Sequence, residues 1–266
     1  MKPIDAATVI SHLAALRKAR PLVHNITNFV VMNSTANALL AIGAAPVMAH
    51  AVEEMADLMS IADALVINIG TLDPQWVEGM LSAGKAAGER GIPIVLDPVG
   101  AGATPYRTQT ALEIAASCKP TVVRGNPSEI MALVDSSAKT RGVDSTTTPG
   151  TALAAAKELA EQIKSVVVVS GSTDYITDGS TVLTVKNGRP LMARVTGLGC
   201  TASSICGAFS ASVSDALHAC ASAMAVMGIC GEIAAEKSDG PGTLQLHFLD
   251  ALYNLDTRAI ETYYKN

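Results

Sequence analysis

The stretch Ile92-Pro93-Ile94-Val95-Leu96-Asp97-Pro98 decides the fold, because it is an apolar run that ends in a polar turn. Similar runs occupy residues 46–49, 64–69, 121–123 and Val166–Val169. Apolar, β-branched runs without alternation are typical of strands that are buried on both faces of a parallel sheet. Each run therefore predicts one strand of such a sheet.

Helical patterns separate these runs. Residues 75–90 and Pro149–Ile163 both show helical spacing of apolar residues, and the second segment has Pro and Thr at its start. Strands that alternate with helices predict a three-layer α/β/α fold, in which helices cover both faces of a mainly parallel central sheet.

The pattern changes after the last of these runs. The tight-turn dipeptides Asp178-Gly179 and Asn187-Gly188 separate residues 175–177, 180–185 and 189–194. This spacing predicts a three-stranded antiparallel meander at one edge of the sheet.

The remainder of the chain is predicted to be helical. One helix is indicated by apolar positions at helical spacing, which are Ile205, Phe209, Val213 and Leu217. A long apolar helix at 217–233 and an amphipathic helix at 246–264 follow it. Because no linker, repeat or low-complexity tract divides the chain, we expect a single domain over residues 1–266.

Charge and composition exclude several classes of protein. The net charge is −5 and no basic block exceeds Arg17-Lys18-Ala19-Arg20, which argues against nucleic-acid binding. The first residues lack the apolar core of a signal peptide. Residues 217–233 are short for a membrane span of about 20 residues, so we expect a buried helix and no membrane association. Five cysteines without a C-x-x-C pair argue against disulfides and structural zinc, which favours a cytoplasmic protein.

The segment Val195-Thr196-Gly197-Leu198-Gly199-Cys200 is the first candidate for chemistry. Two glycines between extended chain and a helix allow a tight turn, and the start of the helix offers free N–H groups and the positive end of its dipole. We interpret this segment as a cradle for a phosphoryl group. The alternative is an ordinary connection that binds nothing.

Two further polar segments follow predicted strands. Asp97-Pro98-Val99-Gly100-Ala101-Gly102 and Arg124-Gly125-Asn126-Pro127-Ser128-Glu129 both stand at the carboxyl end of a strand, where α/β proteins bind ligands. Asp97 and Glu129 offer oxygen ligands for Mg²⁺, and Arg124 offers a partner for phosphate oxygens. The alternatives are a turn aspartate, a helix cap and a surface arginine.

These elements together resemble a known group of kinases. Residues 97–102, the Asn126-x-x-Glu129 element and the Gly-x-Gly-Cys element before a helix look like the ribokinase-like superfamily. That resemblance implies phosphoryl transfer from ATP to an alcohol.

Other motifs narrow the resemblance to one family. The stretches Pro21-Leu22-Val23-His24-Asn25-Ile26-Thr27-Asn28, Gly43-Ala44-Ala45-Pro46-Val47-Met48 and Asn68-Ile69-Gly70-Thr71-Leu72 are similar to the hydroxyethylthiazole kinase family of thiamine salvage. Several separated motifs agree in order and spacing from about Pro21 onward. The resemblance implies phosphorylation of 4-methyl-5-(2-hydroxyethyl)thiazole with MgATP, in a homotrimer whose substrate pocket is shared between subunits and which has no separate lid.

The resemblance also assigns residues. Met48, Asn28, Gly70 and Gly197 match positions that contact the thiazole. The nucleotide side is assigned to Arg124, Ser170 and Asn126, with Ser170 standing where many relatives have Thr. Mg²⁺ binding is assigned to Asp97 and Glu129, and catalysis is assigned to Gly197, Gly199 and Cys200.

Cys200 occupies the position at which most ribokinase-like enzymes carry an aspartate base. A helix N-terminus lowers the pKa of a thiol, so a thiolate at Cys200 could accept the hydroxyl proton. Phosphoryl transfer, however, depends mostly on positioning and charge neutralisation. We therefore expect Cys200 to lie beside the substrate hydroxyl without dominating the rate.

Other functions remain open at this stage. Hydroxymethylpyrimidine kinases and the ATP-dependent dehydratase of hydrated nicotinamide nucleotides share the superfamily, but they usually carry Asp where Cys200 stands. A thiazole sensor without turnover is a second alternative, against which the retained Asp97, Arg124 and Glu129 argue. A nicotinamide-dependent oxidoreductase is disfavoured because no G-x-G-x-x-G follows the first strand. His24 and His50 near the proposed pocket are more simply structural residues.

Overall fold

The computed structural model describes residues 4–134 and 149–265. Within them the strands form one sheet, and its members are β1 (Leu22–Ile26), β2 (Ala45–Val47), β3 (Ala64–Asn68), β4 (Ile94–Asp97), β5 (Val122–Gly125), β6 (Val166–Val169), β7 (Asp174–Thr177) and β8 (Val182–Val185). The helices in these residues are α1 (Ala6–Ala19), α2 (Met32–Ile42), α3 (Met55–Ile61), α4 (Pro74–Arg90), α5 (Pro105–Cys118), α6 (Pro127–Val134), α7 (Pro149–Ile163), α8 (Leu198–Ser212), α9 (Ala216–Glu236), α10 (Pro241–Asn254) and α11 (Thr257–Tyr263).

The sheet has eight strands in the order β2-β1-β3-β4-β5-β6-β7-β8. Pairing is parallel from β2 to β6, whereas β6 with β7 and β7 with β8 pair antiparallel. The described strands all join this sheet, and none is set aside to form a separate lid. The prediction of a mainly parallel α/β sheet with an antiparallel edge is therefore confirmed.

Helices cover both faces of the sheet. One apolar cluster joins α1, α2, α8, α9 and α10 to side chains such as Val66 and Val95, and a second joins α3 to α7 to neighbours such as Leu65 and Leu96. Since successive side chains of a strand point to opposite faces, an all-apolar strand serves both clusters at once. The five apolar runs of the sequence all became strands, with ends within two residues of the prediction.

The strand β1 is the part of the sheet that periodicity does not predict. His24 and Asn25 interrupt its apolar run, yet both are buried. Asn25 Oδ1 accepts a 2.6 Å hydrogen bond from Ser204 Oγ of α8, and a ring nitrogen of His24, Nε2, lies 3.0 Å from the carbonyl oxygen of Ala49. These partners are distant in sequence, so the strand is stabilised by tertiary contacts.

Three predictions about the later part of the chain were wrong. Residues 189–194 are not a third antiparallel strand, because Pro190–Arg194 forms a 3₁₀ helix that Pro190 begins. Proline lacks the N–H that a ladder needs and favours the first helical turn. The predicted helix through Leu217 ends at Ser212, and residues 246–264 are divided between α10 and α11, because Asp256 caps the second of these helices.

Helix α9 is long and apolar enough to cross a membrane by length and composition alone. However, 83% of its most apolar window is buried inside the protein. It is therefore a core helix, as expected for the apolar stretch at residues 217–233.

Helix α8 lies unusually close to the sheet, which fixes where its first turn stands. A Cβ at Gly207 would come 2.8 Å from Val66 Cγ2, so only glycine permits this approach without a shift. The N-terminal turn of α8 is thereby held over the carboxyl ends of the parallel strands.

The buried His24 leads to a prediction about pH. Burial lowers the pKa of His24 below its ordinary value of 6.5, although its backbone partner Ala49 and the charge of Glu54 oppose the shift. Between this lowered pKa and about 6.5 the unfolded chain binds a proton that the folded protein does not, so stability falls on acidification through that range. We expect His24→Gln to reduce this loss in denaturant unfolding at pH 7.5 and 5.5. His247→Gln is the matched control, and an equal pH dependence in all three proteins would contradict the prediction.

Candidate active site

The predicted site residues lie along one edge of the sheet, in the order of the strands. From the β2 side onward they are Met48 after β2, Asn28 after β1, Gly70 after β3, Asp97 at the end of β4, Arg124 in β5 and Ser170 after β6. The strand order reverses between β1 and β3, where open α/β sheets form a crevice for ligands. Residues assigned to the acceptor, the metal and the nucleotide thus occupy successive positions along this edge.

A buried chain of polar side chains connects the acceptor end to the metal end. Asn28 Nδ2 donates to Asn68 Oδ1 at 2.8 Å and to Cys200 Sγ at 3.4 Å. Asn68 Nδ2 donates in turn to Asp97 Oδ2 at 2.7 Å, and Ser203 Oγ donates to the same oxygen at 2.7 Å. We call this set, Cys200–Asn28–Asn68–Asp97–Ser203, the polar chain.

Two members of the polar chain were not among the predicted site residues. Asn68 ends the otherwise apolar strand β3, and a lone amide in a buried run is a signal that could have found it. Ser203 lies one turn after Cys200 on α8, where a small polar residue gives no comparable signal.

Asp97 is a strongly perturbed acidic group of the polar chain. Burial raises its pKa to about 6, the nearby Arg124 guanidinium and the hydrogen bonds from Ser203 and Asn68 oppose this, and the charge of Glu129 adds to it. At neutral pH the carboxylate is therefore ionised, although its buried environment disfavours the charge. A cation would relieve that unfavourable charge, which is a mark of functional sites.

Glu129 is held in position by the backbone. Its Oε1 accepts from Gly100 N at 2.9 Å and its Oε2 from Asn126 N at 2.8 Å, while Asn126 Oδ1 accepts from Glu129 N at 2.9 Å. This reciprocal pair is a capping box at the start of α6. Ser128 Oγ also donates to Asn126 Oδ1 at 2.7 Å, so the amide oxygen of Asn126 serves the helix cap. Its predicted contact with the nucleotide stays a prediction.

The donor set fits Mg²⁺ rather than a fully protein-caged metal. Among the residues that the structure describes, no group of three or more His, Cys, Asp or Glu side chains could hold a metal ion. Asp97 and Glu129 are close enough for their charges to interact. Two carboxylates with the remaining ligands from water and phosphate is the arrangement that Mg²⁺ favours with nucleotides.

The first turn of α8 spans the acceptor and nucleotide ends of the site. Gly197 has φ +87°, and a Cβ there would come 2.8 Å from Val31 Cγ1. A Cβ at Gly199 would come 3.2 Å from Arg124 Nη1. The N–H of Thr201 bonds to Gly197 O at 2.8 Å, so the N–H groups of residues 198–200 precede the helical ladder. These groups and the helix dipole favour an anion at this turn.

The thiol of Cys200 differs from the prediction. Burial raises its pKa to about 11, and the charge of Asp97 adds to the shift, although hydrogen bonds with Asn68 and Asn28 and the charge of Arg124 oppose it. The expected lowering by the helix N-terminus is outweighed by this burial. Cys200 is accordingly a neutral thiol at pH 7 and a poor base.

A cleft of about 490 Å³ opens beside this turn, at the residues predicted to contact the nucleotide. Arg124, Ser170 and Gly199, three of the predicted residues, line it together with Asp174. Arg124 is buried, and its Nε has no hydrogen-bond partner among the residues described, so this cation is available to an anionic ligand. The cleft lining also includes the apolar side chains Met224 and Met227.

Arg107 is a further residue that the sequence did not reveal. Its guanidinium donates to Ile69 O at 3.0 Å, to Val99 O at 2.7 Å and to Gly70 O at 2.8 Å. It thereby joins the loops that follow β3 and β4. An arginine in a helical segment gives no sequence signal for such a role.

The remaining predicted residues surround the acceptor end. A Cβ at Gly70 would come 2.6 Å from Asn28 Nδ2, so glycine is required for the close approach of these loops. Met48 is half-buried and packs against the core cluster on the α8 face of the sheet. His50 stacks on Trp76 with 4.4 Å between ring centroids, which supports a structural role for this histidine.

Comparison with known proteins agrees with this geometry. The model of the hydroxyethylthiazole kinase family matches residues 13–258. The chain is 59% identical to a hydroxyethylthiazole kinase of Syntrophus aciditrophicus over 242 residues, which are 91% of this chain and 90% of that protein. It is 55% identical to one from Nitratidesulfovibrio vulgaris, over 95% of this chain and 94% of that protein.

Solved structures give the same result. The hydroxyethylthiazole kinase protein from Pyrococcus horikoshii superposes with a TM-score of 0.90 and 45% identity, covering 97% of this chain and 98% of that chain. The pyridoxal kinase from Staphylococcus aureus in complex with AMP-PCP and pyridoxal shares the fold, with a TM-score of 0.63 and 17% identity over 80% of this chain and 88% of that chain. From the family model and these relatives, the chain belongs to the hydroxyethylthiazole kinase family.

Proposed function

We propose that this protein transfers the γ-phosphoryl group of ATP to the hydroxyl of 4-methyl-5-(2-hydroxyethyl)thiazole, in the cytoplasm, as a step of thiamine salvage. The observation that carries the proposal is the first turn of α8, which has Cys200 bonded to Asn28 on the acceptor side and Gly199 against Arg124 on the nucleotide side. A phosphoryl group that passes between the two substrates would lie at the free N–H groups of this turn.

The residues divide the work of the reaction. Asn28, Gly70 and Met48 would receive the thiazole, while Arg124 and Ser170 would contact the nucleotide. Asp97 and Glu129 would hold Mg²⁺, which would supply neutralisation of the charge that develops on the transferring phosphoryl group. The backbone N–H groups of residues 198–200 would stabilise charge on the transferring group.

The substrate hydroxyl needs little help from a base on this view. The transition state of phosphoryl transfer is loose, so the hydroxyl proton leaves late. A neutral Cys200 thiol beside the hydroxyl fills the pocket and accepts a hydrogen bond from Asn28. Asn28 is in turn fixed by Asn68, so the polar chain would keep the acceptor pocket in register with Asp97.

A homotrimer with a shared pocket is part of the proposal. Phe29 and Val30, which directly follow Asn28, are 63% and 65% exposed. Large exposed apolar side chains beside a ligand site are typical of an interface that a second subunit covers. Sedimentation equilibrium would test the trimer, and a monomer with full activity would contradict the shared pocket.

The activity is tested with the purified protein, MgATP and a panel of alcohols. We expect formation of the thiazole phosphate and ADP, with much less turnover of hydroxymethylpyrimidine. Calorimetry with the thiazole alone separates the alternatives. Binding without ATP consumption would indicate a sensor, and absence of both binding and turnover would overturn the proposal.

Substitution of Cys200 tests its modest role. We expect Cys200→Ser and Cys200→Asp to keep kcat/KM within about 30-fold of the wild type, since loss of a true general base costs about 10²–10⁴. We also expect the pH profile of the wild type to stay flat above neutrality, because no thiolate is required. Loss of all activity in both variants, with folding and thiazole binding intact, would contradict this.

A further inference from the structure

Part of the lining of the nucleotide cleft packs on two glycines of α9. A Cβ at Gly228 would come 2.5 Å from Asn187 Cβ and 2.6 Å from Asn187 O, and a Cβ at Gly231 would collide with Met192 Sδ. The turn at Asn187-Gly188 lines the cleft together with Arg189, Pro190, Met192 and Ala193. The position of this part of the lining therefore depends on how the turn is seated on α9.

A buried carboxylate fixes the turn. Glu232 of α9 is 1% exposed, and its Oε1 accepts from Gly188 N at 2.7 Å, from Asn187 Nδ2 at 3.1 Å and from Lys265 Nζ at 2.8 Å. The side chain of Lys265 is 44% exposed. A lysine at the surface thus reaches inward to the only acidic group with which it forms an ion pair in the described residues.

The segment after α11 joins the same cluster. Lys265 N donates to Asn187 Oδ1 at 3.2 Å, and Asn187 Nδ2 donates to Tyr263 O at 2.7 Å. The amide of Asn187 is therefore bonded to Glu232, Tyr263 and Lys265 together. We call Asn187, Glu232 and Lys265 the anchor.

The groups of the anchor are committed to each other rather than to the cleft. The Gly188 N–H and the Asn187 amide already have short partners. Asn187 and Gly188 line the same cleft as Arg124 and Met224, so fixing this turn fixes part of the cleft lining. Removing the Lys265 ammonium would leave the Glu232 charge buried with neutral donors alone, and such a change is relieved by movement of the surrounding chain.

We infer that Glu232, Asn187 and Lys265 are positioning residues that pre-form the wall of the nucleotide cleft, and that they act on ATP affinity through the 187–193 segment without touching the reacting atoms. This inference rests on the proposed function, since it requires the nucleotide to occupy this cleft. If the 187–193 segment contacts the nucleotide and not the thiazole, moving it should change KM for ATP and leave KM for the thiazole alcohol unchanged.

The test compares Lys265→Met with Lys265→Arg, and uses exposed Lys237→Met as a matched control. We expect Lys265→Met to raise KM for ATP about 10-fold, equivalent to about 1.4 kcal/mol, while kcat and KM for the thiazole change by less than about 2-fold. Lys265→Arg should restore the wild-type KM, and Lys237→Met should not alter it. Glu232→Gln, which retains an acceptor but loses the charge, should raise KM for ATP in the same direction.

Two results would overturn the inference. One is an unchanged KM for ATP in Lys265→Met, and the other is an equal loss in kcat and both KM values, which would mark a general loosening of the fold. Calorimetric binding of Mg²⁺–AMP-PNP to the same variants keeps the inference separate from the proposed function. If the wild type bound this analogue without any turnover of the thiazole, the kinase proposal would fail while the anchor would still be tested by affinity.

Discussion

Asp97→Asn is expected to abolish phosphoryl transfer and, at the same time, to make the metal-free protein more stable at pH 7. On the proposal that Asp97 holds Mg²⁺, loss of its carboxylate should lower kcat by about 10³-fold or more. In the folded protein, however, burial disfavours the charged form of Asp97 and raises its pKa from 3.8 to about 6. Asparagine keeps an oxygen that accepts from Asn68 and Ser203 but cannot ionise.

The sign of the stability effect follows from these two pKa values. Between pH 3.8 and about 6 the folded protein holds a proton that the unfolded chain has lost, so wild-type stability falls as pH rises through this range. Above it the full loss remains, on the order of 3 kcal/mol for a shift of about two pKa units. We expect Asp97→Asn to lack this decline, so that the two proteins differ most at pH 7 and least near pH 3.5.

Thermal and denaturant unfolding without metal would measure this difference, and steady-state kinetics would measure the activity. Asp215→Asn is the control, because burial opposes the lowering of the Asp215 pKa but hydrogen bonds from His218 and Leu217 outweigh it. That variant should lose stability at pH 7 and keep its activity. A destabilised Asp97→Asn, or one that retains turnover, would contradict the assignment of Asp97 as a buried metal ligand.

Gly197→Ala is expected to have the second largest effect. A side chain at φ +87° is strained, and its Cβ would press on Val31 Cγ1 at 2.8 Å, so the first turn of α8 must shift. Misplacement of catalytic groups by about 1 Å costs about 100-fold in rate. We expect kcat/KM for the thiazole to fall by that order, with the affinity for the nucleotide analogue much less affected.

Gly88→Ala provides the matched control for this glycine. Gly88 lies exposed in α4, and a Cβ there would meet nothing within 4 Å. Alanine is the better helix former, so this variant should gain about 0.5–1 kcal/mol of stability and keep its activity. Equal activity of Gly197→Ala and the wild type would show that the turn does not set the reaction geometry.

The strands that consist only of apolar residues could be predicted from the sequence. Apolar runs became parallel strands because a strand buried on both faces needs no polar residue. The strand β1 was missed for the opposite reason, since His24 and Asn25 are buried against partners on α8 and beyond β2. The 3₁₀ helix Pro190–Arg194 was missed because a turn dipeptide before it suggested a strand.

The site was predictable where motifs stand at strand ends and less so where side chains meet across the fold. Asp97 ends β4, Arg124 lies near the end of β5 and Gly197 precedes α8, where their motifs predicted them, and their roles in the reaction stay predictions. Asn68, Ser203 and Arg107 each have a partner at least 29 residues away, at Asp97 or Ile69, and no local pattern encodes such contacts. The expected lowering of the Cys200 pKa was wrong, because the burial of a thiol depends on the whole fold and not on the local sequence.

The strand order of the sheet fixes the distance between the residues proposed to bind the alcohol and those proposed to bind the nucleotide. From Asn28 after β1 to Ser170 after β6 the edge crosses β3, β4 and β5, and neighbouring strands are spaced about 4.8 Å apart. Four such steps span about 19 Å, and the residues proposed to bind the alcohol, the metal and the nucleotide stand at successive steps. An alcohol with a longer arm would place its hydroxyl one strand too far along. On the proposed roles, we expect selection by reach to depend on this backbone spacing as well as on the side chains of the pocket.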